Sequence, residues 1–444
     1  MIAIRTERVA DPAASRDELG HIPSADDAEL RDRVAEIIAT VAREGDMALI
    51  RYARELDGWA EAAPGILEVD LRSCREAADG LETDLRASLE KAVDRIRAFH
   101  ERQLERGFLD VHADGTLLGQ RVLPLRRVGI YVPGGRAAYP SSVLMNAVPA
   151  AVAGVEEIVM VTPTPGGHLD PTVLAAAHLA GVSRLFRIGG AQAVAALAHG
   201  TESVPAVDKI VGPGNRWVAE AKRQLFGRVD IDMIAGPSEI LVIADGSADP
   251  RRVAADLIGQ AEHDPDAIAW LVTPDEGLAA AVPAALEALL ADNPRRDVAR
   301  RALEENGRIV IVPDLAAAAA VADLRAPEHL ELLVPDALAF SGRTRNAGAI
   351  FLGDATPEPM GDYIAGPSHV LPTGGTARWA SPLGVHDFLK RTSLIGYSPA
   401  RLAEDGDDVI RLAEAEGLHG HAEAVRVRLR SPAGHERHPC SDHD

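Results

Sequence analysis

Four stretches carry the side chains best suited to chemistry. In Gln260-Ala261-Glu262-His263-Asp264-Pro265, Gln260 and His263 stand three apart and share one face of a helix that Pro265 must end. In Ala326-Pro327-Glu328-His329-Leu330-Glu331-Leu332, a proline, a carboxyl and an imidazole lead into a strand. Strict strand alternation would send residues 328 and 329 to opposite faces, so if both act together either the chain bends here or only the strand's irregular edge presents both. Gly361-Asp362-Tyr363 and Ser368-His369 lie in a glycine-rich, irregular stretch, and Glu414, Glu416, His419 and His421 crowd the end of the last helical region. Imidazoles and carboxylates from separate segments suit a borderline-soft divalent ion such as zinc. Taken singly, His263 and His329 are equally compatible with hydrogen-bonded structural roles, and a neutral amide such as Gln260 is an uncommon metal ligand. The chain has no HExxH and no CxxC, so the usual metalloprotease and zinc-finger patterns have no support.

Three glycine turns follow short apolar runs: Gly134-Gly135-Arg136, Gly189-Gly190-Ala191-Gln192 and Gly212-Pro213-Gly214-Asn215. Each can set free amides at a helix N-terminus, where amides and dipole favour a phosphate; each is also explicable as plain turn chemistry. GxGxxG and GxxxxGK[ST] are both absent, which leaves nucleotide binding as one of two open readings.

A strand–helix rhythm must position these groups. Apolar runs at 126–132, 156–162, 183–188 and 208–212 alternate with helical stretches, and a second series follows at 239–245, 267–273, 307–313, 329–334 and 348–353. Short strands alternating with helices of ten or more residues imply mostly parallel sheets covered on both faces. Before residue 125 the pattern is helical, with Leu30, Val34, Ile37, Ile38 and Val41 in one run and Leu85, Leu89, Val93 and Ile96 in another. These helices have no strands of their own and are expected to complete the second series, making the first an insertion.

Composition bounds the rest. A chain of 444 residues suits two to three domains, and 47% apolar with 4% aromatic residues means cores of Ala, Val, Leu and Ile. A net charge of −21 disfavours nucleic acid and anionic membranes, and two cysteines cannot form a disulfide framework. The N-terminal stretch lacks a signal-peptide core and the apolar stretches are broken before they become spans, so a cytoplasmic protein is expected.

RVGIYVPGG, GGAQAVAALAHGT, VDKIVGPGN, IDMIAGPSEILVIAD, QAEHDPDA, RAPEHLELL, GDYIAGPSHVLPTGGTAR and AEGLHGHAEAVRVR together resemble, in order and over about residues 25–430, the histidinol dehydrogenase family. The resemblance implies a homodimer with shared active sites and one Zn²⁺ per subunit. It implies oxidation of L-histidinol through L-histidinaldehyde to L-histidine, with two NAD⁺ consumed. By matching motif it makes Gln260, His263, Asp362 and His421 the zinc ligands, His421 from the other subunit, and Glu328 and His329 the acid/base pair. Substrate contacts follow at Ser238, Gln260, His263, His329, Asp362, His369, Glu416 and His421, and cofactor contacts at Tyr131, Gln192 and Asn215.

The implied fold is α/β, with two incomplete Rossmann-like domains of parallel-rich sheets, a small N-terminal arm and a small C-terminal helical domain. The expected divisions are a helical arm over 1–24; one α/β domain, carrying zinc and catalytic residues, from 25–132 and 238–382; and an inserted NAD-binding α/β domain over 133–237. A dimerisation domain over 383–430 and a disordered tail over 431–444 complete them. Ser368 departs from the Asn that the family often has before this histidine, and a related branch oxidising a sulfonated diol departs around the same loop. Another small alcohol, oxidised by the same zinc and NAD chemistry, is therefore the alternative substrate.

Overall fold

The computed structural model describes residues 2–20, 27–134 and 138–430. The chain divides into two units, Met1–Leu104 with Pro124–Phe388, and Glu105–Leu123 with Leu389–Asp444.

The first unit holds two six-stranded sheets. One runs Arg5–Arg8, Arg308–Ile311, Ile268–Thr273, Glu239–Ala244, His329–Leu333, Ala349–Leu352, with every pairing parallel. Its central strand is apolar after Glu239 because it is covered twice. Ile240, Val242 and Ala244 join one core with Val253, Leu257 and Leu286, while Leu241 and Ile243 join another with Ala318, Val321 and Leu332. Asp249, Asp275 and Asp314 start the covering helices Pro250–Ala261, Glu276–Leu290 and Leu315–Arg325, each carboxylate accepting a first-turn backbone N–H.

The other sheet runs Glu68–Val69, Arg184–Phe186, Glu157–Val161, Arg127–Tyr131, Lys209–Val211, Asp230–Ile231. All its pairings are parallel except that of the two-residue Glu68–Val69 edge. The winding reverses at Arg127–Tyr131, the position at which open α/β sheets form ligand crevices at their carboxyl ends.

The expected α/β fold with parallel-rich sheets is present, and three of the expected divisions need correction. The helices Ala28–Glu44 and Asp46–Leu56 do not complete the 239–352 sheet: Leu30, Val34, Val41 and Leu49 share a core with Val159, Phe186 and Val194 of the other one. Helices Leu71–Asp79 and Thr83–Glu101 likewise pack on Pro171–Ala180 and Pro140–Ala153. Glu68–Val69 hydrogen-bonds that sheet's edge and ties its flanking helices there, whereas an apolar stripe indicates a buried face without naming the sheet it covers. Secondly, residues 5–8 of the expected helical arm form a strand on the open edge of Arg308–Ile311; the helix there is only Arg16–Leu19, and Ile2, Val9 and Leu19 are buried.

Thirdly, the C-terminal region carries its expected helices, Pro399–Ala415 and His419–Arg430, but also a sheet ordered Leu389–Gly396, Leu117–Pro124, Phe108–Val111 that recruits a hairpin from far upstream. The expected disordered tail at 431–444 and residues 135 and 136 of the first glycine turn lie outside the described residues. No described helix is long and apolar enough to cross a membrane.

Candidate active site

The expected acid/base pair, Glu328 and His329, stands at the amino end of the 239–352 sheet, where His329 opens its strand opposite Ile240. Helix Pro250–Ala261 runs back antiparallel to the strand before it, which returns Gln260 to that same end. The chain reaches His329 through Ala326, whose φ of 51° is left-handed, a conformation that turns it out of helix Leu315–Arg325 into Pro327. A bend here is one of the two arrangements expected from the sequence.

The bend brings Glu328 and His329 onto the backbone of one residue, Glu239. The backbone N–H of Glu239 donates to Glu328 Oε2 at 2.9 Å, and the Glu239 carbonyl lies 3.1 Å from His329 Nδ1. A carbonyl only accepts, so Nδ1 carries the proton and Nε2 the lone pair. Nε2 is buried without a hydrogen-bond partner, 3.7 Å from Glu358 Oε1 and 3.9 Å from Asp362 Oδ1. Burial pushes the imidazole down to about 4 and lifts the Glu328 carboxyl well above the usual range. Glu239 is itself held: its carboxylate pairs with buried Arg325 and accepts from Gly374 N–H at 2.9 Å.

Several expected ligands and contacts converge here. Gln260 is fully buried, its Nε2 is 3.2 Å from His263 Nδ1, and its Oε1 has no partner. Asp362, at the end of the one-turn helix Pro359–Tyr363, lies 3.8 Å from His369 Nδ1. His369 Nε2 reaches Ser142 Oγ at 3.5 Å, on the helix that follows Tyr131, so this cluster faces the carboxyl end of the other sheet. Burial lowers the His369 imidazole. Ser238 is half-buried beside Glu239. Ser368 turns away, its hydroxyl donating to the Met145 carbonyl and accepting from Val370 N–H. Glu416 and His421 belong to the second unit, where both are exposed.

The sequence reading missed Glu239, Arg325 and Glu358. His329, Glu358 and Asp362 can bring ligand atoms within 4.8 Å of one another, a group able to hold a cation. Glu358 N–H donates to Glu331 Oε1 at 2.6 Å, and burial pushes the carboxyls of Glu331 and Glu358 far upward. A lone Glu opening the wholly buried run EILVIA was the one visible signal, since a carboxyl there must have a partner.

The expected cofactor residues sit at the carboxyl end of the second sheet. Tyr131 is 3% exposed and its hydroxyl accepts from Gly190 N–H at 3.1 Å; burial pushes the phenol up to about 12. Gln192 is buried in the first turn of helix Gly190–His199. Asn215 is exposed, and its Oδ1 caps helix Arg216–Leu225 by accepting from Trp217 and Val218 N–H. Gly212 has φ +108° and presses on Tyr131: a Cβ there would lie 2.2 Å from the Tyr131 carbonyl oxygen.

A family model for histidinol dehydrogenase matches residues 21–429. The histidinol dehydrogenase of Dechloromonas aromatica is 52% identical over 420 residues, covering 95% of this chain and 97% of that one. That of Aquifex aeolicus is 52% identical over 400 residues, covering 90% and 92%. The crystal structure of histidinol dehydrogenase from Elizabethkingia anophelis superposes with a TM-score of 0.90 at 33% identity, over 97% of this chain and 99% of that one. With the expected catalytic segment, the glycine turns and every strand of both sheets except Arg5–Arg8 inside the matched span, the chain belongs to the histidinol dehydrogenase family.

Proposed function

We infer that this protein catalyses the NAD-dependent, four-electron oxidation of L-histidinol to L-histidine through L-histidinaldehyde, with Glu328 and His329 as its acid/base pair. The observation that carries the residue assignment is the Glu239 backbone, which holds both side chains and leaves His329 Nε2 as a free, neutral base. Nε2 takes the alcohol proton as hydride passes from carbon to the first NAD⁺. The aldehyde has no further C–H and O–H pair to lose until water adds to its carbonyl. Glu328 exchanges the proton of that water, and His329 accepts the hydrate's hydroxyl proton as the second hydride leaves. Tyr131, Gln192 and Asn215 are the proposed dinucleotide contacts. Ser238, His369 and Glu416 are the remaining proposed substrate contacts.

A zinc ion fits the donors present: the buried Gln260 oxygen lacks a partner, an imidazole adjoins it, and Asp362 supplies a carboxylate. We propose Gln260, His263 and Asp362 as its ligands, with His421 supplied by a second copy of the chain in a homodimer. When bound, the ion would anchor the amine and imidazole of histidinol and favour the ionised forms of nearby carboxyls. The test is NADH formation at 340 nm with histidinol and NAD⁺, with histidine quantified, before and after chelation and zinc return. Two NADH per histidine, lost and restored with zinc, is expected; full activity in verified metal-free protein overturns the zinc assignment, and absence of NADH with zinc restored overturns the activity. Mixed dimers of His263→Asn and His421→Asn chains should regain activity, and a fully active monomer would refute the shared site.

A further inference from the structure

The turn Gly212–Asn215 is held from behind by a buried ion pair outside the family-matched site residues. Lys222 and Asp232 pair with side chains 2% and 1% exposed. Lys222 Nζ donates to the Gly212 carbonyl at 3.1 Å, and Asp232 Oδ2 accepts from Gly212 N–H at 2.7 Å. Asp232 Oδ1 also accepts from Met233 N–H at 2.6 Å. Both polar groups flanking the Gly212 Cα are thus tied to one ion pair, while on the other side Gly212 rests on the backbone of Tyr131. Lys222 lies on helix Arg216–Leu225, the helix that Asn215 caps, so its ammonium reaches back from the second turn to the start of the loop that launches it.

An apolar pair of the same volume would serve packing as well or better, because desolvating two charges offsets most of their attraction. The pair's distinguishing product is therefore the backbone conformation of one residue. Lys222 is sealed from solvent and neutralised, which excludes it as a direct phosphate ligand. We infer that Lys222 and Asp232 are positioning residues for the dinucleotide: they lock the Gly212 backbone so that the Gly212–Asn215 turn is already shaped to receive it. This rests on the proposal that the turn binds NAD.

Either single replacement strands a buried charge, so the test uses Lys222→Met/Asp232→Leu, which removes both and keeps the bulk. NADH is titrated by quenching of tryptophan fluorescence, with steady-state KM values and thermal unfolding in parallel. The double variant should unfold cooperatively, with the NADH Kd and the NAD⁺ KM raised about tenfold while the histidinol KM and the kcat at saturating NAD⁺ stay within about twofold. Lys222→Met/Asp232→Asn keeps an acceptor for one of the two amides and should fall between wild type and that variant. A folded double variant with wild-type NADH affinity overturns the inference, as does a loss falling equally on histidinol. Asn215→Leu separates the two claims. If it leaves NADH affinity unchanged, the turn is not the dinucleotide site and both fall; if it weakens NADH while the double variants do not, only the positioning role falls.

Discussion

Replacing His329 by Asn removes the function of one atom and little else. The Asn amide can still donate to the Glu239 carbonyl in place of Nδ1–H, but nothing replaces the lone pair at Nε2. Losing a general base commonly costs about 10²–10⁴ in rate, and both oxidations should slow because each sheds a proton to this nitrogen. The pH dependence is the sharper test. Because burial lowers the imidazole to about 4, its basic form persists as pH falls and is lost only near pH 4. At pH 5.5 a base of that strength remains about 97% neutral, against about 9% for an ordinary histidine near 6.5. The substrate's own imidazole and amine titrate in this range, so the quantity to follow is the ratio of wild-type to variant single-turnover rates, in which substrate ionisation cancels. Rapid-mixing measurements of NADH formation from histidinol at pH 8 and 5.5 should give the same ratio. A roughly tenfold fall in that ratio at pH 5.5 would show an unshifted imidazole and refute the reasoning.

Glu328→Gln keeps an acceptor for the Glu239 amide but cannot exchange a proton, so oxidation of added histidinaldehyde should fall about 10²–10⁴ while the first hydride transfer falls far less; equal losses in the two half-reactions would rule out the selective role with water. Glu331 is raised by burial to about 9, so the folded chain binds a proton the unfolded chain lacks, and wild-type stability is lost as pH rises from about 4.5 towards 9. Glu331→Gln should therefore stabilise the fold at pH 7, with a gain in urea unfolding that grows as pH rises from about 5 to about 9, whereas a pH-independent gain would contradict the shift. Gly212→Ala should cost about 2 kcal/mol or more and weaken NADH binding, because its φ of +108° and the Tyr131 carbonyl 2.2 Å from a Cβ both exclude a side chain; unchanged melting would show that the turn relaxes freely.

Much of the molecule was legible locally. The strand–helix rhythm, the two-face alternation from Ile240 to Ala244 and the Asp residues that cap the covering helices are all written in short windows, because strand period and capping chemistry need only near neighbours. The motif segments around 260, 328, 362 and 369 were visible in the same way, and the structure brings them into one cluster. Tertiary structure alone decided which sheet Leu30 and Val34 cover, since a stripe reports burial and not its partner. Likewise, it alone set residues 5–8 on the edge of Arg308–Ile311 and joined the 108–124 hairpin to Leu389–Gly396, pairings made by backbone groups that every residue shares. For the same reason the Glu239 backbone could not be seen as the support of Glu328 and His329: its N–H and C=O have no side-chain signature, and they lie about ninety residues away. The shifted ionisation of His329, Glu328 and Glu331 belongs to this second class too, because it comes from water excluded by segments distant in sequence.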